Sequence, residues 1–267
     1  MKRNDFLMQK AICEGKTKAV FTTFFPGIVD IYIKNDVTAK DGGVKDMFEE
    51  KGIISNEITS NIFLFLHRNG IKSHFIDRVS KESFYAQKCD MIPIEVVVRR
   101  VASGSYLKRN PEAEKDTDFK EPVVEFFLKD DSRHDPYINI NEGGKWCLHN
   151  AKSLLSVDSC IGGIKSLLTK DETSEVIRQA NNIFLLLEWF WKKRGFKLFN
   201  FKLEFGRISR CKEKIILADV ITPDEWILVK DGIHYDKEPF RNGEPASALK
   251  EPYQVIANEL SLLTICK

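Results

Sequence analysis

The stretch Asp90-Met91-Ile92-Pro93-Ile94-Glu95-Val96-Val97-Val98-Arg99-Arg100-Val101-Ala102-Ser103-Gly104-Ser105-Tyr106-Leu107-Lys108-Arg109 carries three signals in one line. Ile92, Ile94 and Val96 to Val98 form a β-rich apolar run, the composition of a buried strand. Arg99 and Arg100 close the run with two fixed cations. Ala102 to Ser105 then offer small residues, approachable backbone N–H groups and two hydroxyls. Arginine makes bidentate, charge-assisted bonds to a phosphate monoester, and a Ser/Gly turn adds neutral donors. Read alone, the segment fits either such an anion site or a strand ending in a polar turn with solvated arginines.

The chain around it has 267 residues, 43% hydrophobic and 30% charged, enough apolar material for one large core or two modest ones. A net charge of +2 is too mild to imply nucleic-acid or membrane binding by bulk electrostatics. The six cysteines follow neither metal-type nor framework spacing, which reads as reduced thiols in a cytoplasmic protein. No apolar h-region follows Met1-Lys2-Arg3, and the longest apolar candidate, 183–191, contains Glu188. No targeting or membrane-spanning segment is expected.

Upstream, residues 11–34 read as a hairpin with strands at Ala19–Phe25 and Ile28–Ile33 around Pro26-Gly27. Glu14-Gly15-Lys16-Thr17-Lys18 precedes it. Lys10 stands where a Walker A loop needs glycine, and a strand rather than a helix follows. The segment suits a basic turn, either solvent-exposed or lying over nucleotide phosphates. Residues 35–43 read as a loop, and 53–67 as a helix with Ile54, Ile58, Ile62 and Phe65 or Leu66 on one face. Strands are expected at 75–79 and 83–88.

Downstream, prolines 111, 122 and 136 break up the region 110–170, with one strand expected at 123–129 and a surface turn at 141–145. Glu172 to Arg194 is a clear amphipathic helix, capped by Asp171 or Thr173 and stopped by Gly195. Its aromatics read as core. In the next segment Phe199, Phe201, Leu203 and Phe205 alternate with Asn200, Lys202 and Glu204. A second strand, 214–221, would place Asp219 across from Glu204 if the hairpin were symmetric about 211 and 212. Two carboxylates at that distance need a cation between them, and Mg²⁺ takes one or two carboxylates plus phosphate oxygens. The same pattern also suits a solvated polar face. A last helix is expected from 252 to 264.

Several of these segments, in order, resemble one family, the SAICAR synthetases of purine biosynthesis. The matching pieces are Glu14 to Lys18, Asn35-Asp36 through Asp41-Gly42, Asp90 to Arg99, Ser103 to Arg109, Phe127 to Asp130 with His134-Asp135-Pro136, Phe201 to Gly206, and Asp219 with Thr222-Pro223-Asp224. The resemblance implies an α+β fold of two lobes, ATP-grasp-like. A strand-rich N-terminal lobe (1–92) and a mixed α/β C-terminal lobe (93–267) would flank an interlobe ATP cleft. It implies ligation of L-aspartate to 5-amino-1-(5-phosphoribosyl)imidazole-4-carboxylate (CAIR), with ATP and Mg²⁺ as cofactors and an acyl phosphate intermediate. Lys16 and Lys18 would meet the ATP phosphates, Lys88 and Met91 the adenine, and Glu204 and Asp219 the Mg²⁺. Arg99, Ser105 and Arg241 would bind the substrate phosphate. Lys202, Lys129 and Asp41 would serve the chemistry.

A cytoplasmic enzyme with no nucleic-acid or membrane partner is implied, with room for a homodimer. The chain departs from the family pattern at three places. Asn200 stands at a usual Asp, Lys40 at a usual Gly, and after Asp219 comes Val220 in place of Glu, with no Arg beyond Asp224. A small-molecule kinase on the same scaffold would use the same lysines and carboxylates. An RNA-binding module would use Arg99, Arg100, Lys108 and Arg109, yet Tyr106 is the one stacking platform there.

Overall fold

The computed structural model describes residues 11–39, 42–141, 143–156, 160–209 and 211–265; Lys40 and Asp41 lie outside the described residues. The chain divides into two compact units, the first made of 1–90, 207–224 and 235–267, the second of 91–206 and 225–234. Two segments expected in the C-terminal lobe therefore belong to the first unit. The cause is long-range pairing that chain order does not display, chiefly the packing of the last helix on the first.

In chain order the first unit opens with β1 (Cys13–Glu14), β2 (Lys18–Thr22), β3 (Ile28–Ile33), β4 (Asp36–Ala39), β5 (Val44–Met47), α1 (Lys51–Arg68), β6 (Phe75–Arg78) and β7 (Ser83–Gln87). Its five-stranded sheet runs β1-β2-β3-β7-β6. The expected loop 35–43 is instead the start of a β4–β5 hairpin, pairing Asp36 with Met47 and Ala39 with Val44. Four-residue strands are too short to display a period. Helix α1 buries Ile54, Ile58, Ile62, Phe65 and Leu66, the face read from the sequence.

At the helix start, the Gly52 N–H donates to Asn35 Oδ1 at 2.9 Å, and a Cβ on Gly52 would lie 2.4 Å from the Ile33 carbonyl oxygen. Alanine usually favours a helix, but here it meets backbone. Gly52→Ala is expected to cost about 1–3 kcal/mol in chemical denaturation, and a neutral or stabilised variant would refute the close approach.

The chain enters the second unit along β8 (Cys89–Val101), followed by α2 (Ser105–Arg109), β9 (Asp118–Leu128), β10 (Tyr137–Ile140), β11 (Trp146–His149), β12 (Cys160–Ile164), α3 (Lys170–Lys192) and β13 (Lys197–Ile208). The region 110–170 holds more strand than expected; β10 and β11 flank the foreseen turn, where Gly144 N–H donates to the Asn141 carbonyl. Helix α3 is capped by Thr169, not by Asp171 or Thr173. The Thr169 side chain accepts from the Glu172 N–H, and the Glu172 side chain reaches back to the Thr169 N–H. Its Phe184, Phe190 and Trp191 are fully buried.

β14 (Cys211–Ala218) returns to the first unit, β15 (Trp226–Lys230) and β16 (Ile233–His234) to the second, and α4 (Glu238–Arg241) and α5 (Lys250–Ile265) end in the first. The second unit's strands follow the order β12-β11-β10-β9-β8-β13-β15-β16. Among the described residues no helix is long and apolar enough to cross a membrane.

Candidate active site

In the first unit the basic turn between β1 and β2 closes with the Gly15 N–H on the Lys18 carbonyl. The turn exposes Lys16 and leaves Lys18 half-buried. Lys18 Nζ pairs with the Asp219 carboxylate. Lys16 runs alongside Gly42, whose added Cβ would lie 3.2 Å from Lys16 Cε. Asp219 is not inside a strand: β14 ends at Ala218, and Asp219 takes a left-handed φ of 69°. That turn directs one carboxylate oxygen back to the Val220 N–H at 2.7 Å. Behind it, His74 Nε2 lies 2.9 Å from the Asp219 carbonyl. Burial, with Lys18 and His67 nearby, pushes His74 down to about 3. The ring is therefore neutral at pH 7, and because a carbonyl only accepts, Nε2 carries the proton.

Lys88 is exposed, with its backbone N–H given to the Gly27 carbonyl and its own carbonyl accepting from the Ser209 N–H. Arg241 ends α4 and donates to Glu238 at 3.0 Å.

In the second unit the alternation along β13 places Lys202 and Glu204 on one face. Lys202 Nζ lies 2.7 Å from Glu95 Oε1 on β8 and 2.9 Å from Glu225 Oε2 just before β15. Burial opposes the Lys202 charge, but Glu225, Glu95 and Glu204 outweigh it and hold the amine well above its usual range. Burial pushes the Glu95 carboxyl up against the pull of Lys202. Lys129 Nζ, just past β9, meets both oxygens of Glu204 at 2.7 and 2.6 Å. Glu95 lay in a matching segment without being singled out, and Glu225 in none; only the register, which pairs Phe201 with Trp226, puts Glu225 opposite Lys202. Met91 is 43% exposed.

Arg99 is buried, its Nε on Glu125 Oε2 at 2.9 Å and its Nη1 on the Ser103 carbonyl at 3.2 Å. Among the described residues its Nη2 makes no hydrogen bond. Arg109 shares Glu125 at 2.5 Å. Two guanidiniums on one carboxylate leave a positive surplus beside Gly104, whose φ of 57° opens α2 at Ser105. Arg100 is not part of this group: it forks onto both Glu188 oxygens on α3. Arg99, Arg100 and Arg109 are thus ion-paired within the fold, and Lys108 is exposed.

A strand-rich lobe and an α/β lobe, each presenting lysines against carboxylates, define a two-lobed α/β enzyme. A family model described as SAICAR synthetase matches residues 11–259. The phosphoribosylaminoimidazole-succinocarboxamide synthase of Herpetosiphon aurantiacus is 34% identical over 237 residues, 86% of this chain and 87% of the relative. The human bifunctional phosphoribosylaminoimidazole carboxylase/phosphoribosylaminoimidazole succinocarboxamide synthetase is 36% identical over 95% of this chain, which spans 59% of that protein. The crystal structure of the synthase from Ehrlichia chaffeensis superposes with a TM-score of 0.80 at 32% identity, covering 94% of this chain and 98% of that one. A SAICAR synthetase solved in complex with ADP gives 0.76 at 31% identity, covering 93% and 97%. The chain belongs to the SAICAR synthetase family.

Proposed function

We infer that this chain joins L-aspartate to CAIR at the expense of ATP, forming SAICAR, ADP and phosphate in purine biosynthesis. The observation that carries this reading is the family match across residues 11–259, which takes in both lysine–carboxylate groups. The kinase reading finds no support in these relatives.

A carboxylate is a poor acyl electrophile because oxide would have to leave. Phosphorylation by ATP makes an acyl phosphate, and the aspartate amine then displaces phosphate. The protein's task is positioning and charge neutralisation. In our reading Lys16 and Lys18 neutralise the ATP phosphates, and Lys88 and Met91 flank the adenine. Lys88 would do so through its side chain, because both its backbone groups are engaged. Asp219 and Glu204 are the proposed Mg²⁺ ligands. Hard carboxylate oxygens suit that ion. Among the described residues no group of three or more His, Cys, Asp or Glu forms a metal cage, so phosphate oxygens would complete the shell. When bound, Mg²⁺ would neutralise charge developing on the transferred phosphoryl group.

Arg99, with Nη2 uncommitted, and Ser105 would take the CAIR phosphate, and Arg241 is a further candidate. Lys129 and Lys202 would hold the reacting carboxylate and phosphoryl oxygens, and Asp41 would serve the chemistry. We place the reaction in the cytoplasm, in line with the free thiols at Cys13, Cys89, Cys147 and Cys160, and a homodimer is compatible with this scheme.

ADP release is expected to require CAIR and L-aspartate together, with the succinocarboxamide product seen by mass spectrometry. ADP formed without aspartate, and no amide, would return the enzyme to the kinases.

A further inference from the structure

Glu95 on β8, Lys202 on β13 and Glu225, the residue before β15, form a row. β8, β13 and β15 are adjacent in the sheet, and the Phe201–Trp226 pair sets Glu225 directly across from Lys202. The ammonium lies 2.7 Å from one carboxylate and 2.9 Å from the other, and the three side chains are only 28%, 17% and 18% exposed. One carboxylate is enough to neutralise one lysine; the second must do something else.

An ammonium has three N–H donors on a flexible four-carbon stem. A single partner leaves it free to swing about one bond. Two partners on opposite sides fix two donors, and the direction of the third is then set by tetrahedral geometry. A donor aimed in advance loses little entropy when charge develops in front of it. We propose that Glu225 is a positioning residue, which together with Glu95 clamps Lys202 and aims its remaining N–H at the reacting oxygens. Lys129, by contrast, is 45% exposed and pairs with Glu204.

The proposal rests on Lys202 serving the chemistry, and the experiment separates the two. Glu225→Ala is expected to lower kcat about 10- to 50-fold, with KM for ATP and CAIR within threefold of wild type. Freeing the ammonium impairs the reaction more than binding. Glu225→Asp should recover most of the rate, and added formate should partly restore Glu225→Ala by refilling the carboxylate site. A neutral acceptor, in Glu225→Gln, should fall between. If Glu225→Ala folds poorly, the Asp and Gln variants carry the comparison, and equal kcat in those two would overturn the clamp. So would a Glu225→Ala enzyme that loses thermal stability but keeps kcat. Lys202→Ala is the control: if that variant turns over like wild type, it is the placement of Lys202 in the chemistry that fails.

Discussion

Asp219→Asn is expected to lower turnover with Mg-ATP on the order of 100- to 1,000-fold while leaving the fold in place. The backbone argument comes first. Asp219 sits at a φ of 69°, a left-handed conformation that asparagine tolerates better than any other residue with a β-carbon apart from aspartate. The amide oxygen of Asn can still accept from the Val220 N–H, now 2.7 Å from the carboxylate, and the His74 bond goes to the main chain and is untouched. What is lost is the negative charge facing Lys18 and, in our reading, a Mg²⁺ ligand. A neutral amide oxygen is a much weaker ligand for a hard cation. The melting temperature should therefore stay within about 4 °C of wild type as activity collapses. Turnover at low Mg²⁺ equal to wild type would remove Asp219 from the metal site.

Asp219 stood out in the sequence as a candidate metal ligand; where it stood in the hairpin was not legible. Val220 and Ile221 continue the apolar run past Asp219, so an expected strand of 214–221 overshoots the observed end at Ala218. The alternation on β13 was readable because both faces have a distinct chemistry: Phe201, Leu203 and Phe205 are buried and Lys202 faces the carboxylates. Helices α1 and α3 were readable for the same reason at a period of 3.6. Glu95 stood inside a buried-looking strand and Glu225 in a turn, and neither position signals an ion pair to a residue more than twenty positions away. Arg99 was singled out as a fixed cation, but its partner Glu125 lies on the next strand, in an alternation broken by Phe126 and Phe127. Register, set by bulges such as the shift between Arg99 and Val101, decides such pairs, and single-residue patterns do not encode it.

The same blindness to long-range pairing hid what ties the last segment of the chain to the first unit, and the largest stability effect is expected there. Lys51 opens α1 with its side chain 1% exposed, a costly place for a cation at the positive end of a helix. It is there because Asp224 Oδ2 lies 3.0 Å away, while Tyr253 on α5 donates to the other oxygen at 2.5 Å. Burial pushes the Asp224 carboxyl up, but Lys237, Lys51 and the Tyr253 hydrogen bond prevail and hold it well below the usual carboxylate range. Removing Lys51 leaves the buried Asp224 carboxylate with Lys237 and the Tyr253 hydroxyl but without the cation bonded to its Oδ2. Lys51→Met is therefore expected to cost about 3–5 kcal/mol at pH 7. The double variant Lys51→Met/Asp224→Leu should recover only part of this: the apolar pair escapes the desolvation cost of the ions, but the buried Tyr253 hydroxyl loses its acceptor. The pH dependence follows from the depressed Asp224 value. A carboxyl with a lowered folded pKa stabilises fully above its unfolded value, near 3.8, and loses that contribution as pH falls through the folded one. Wild type should thus keep this contribution from neutral pH down to about 4 and lose it below. Urea melts across that range check both statements, and a single variant costing under about 1 kcal/mol would mean the pair behaves like a solvent-exposed one.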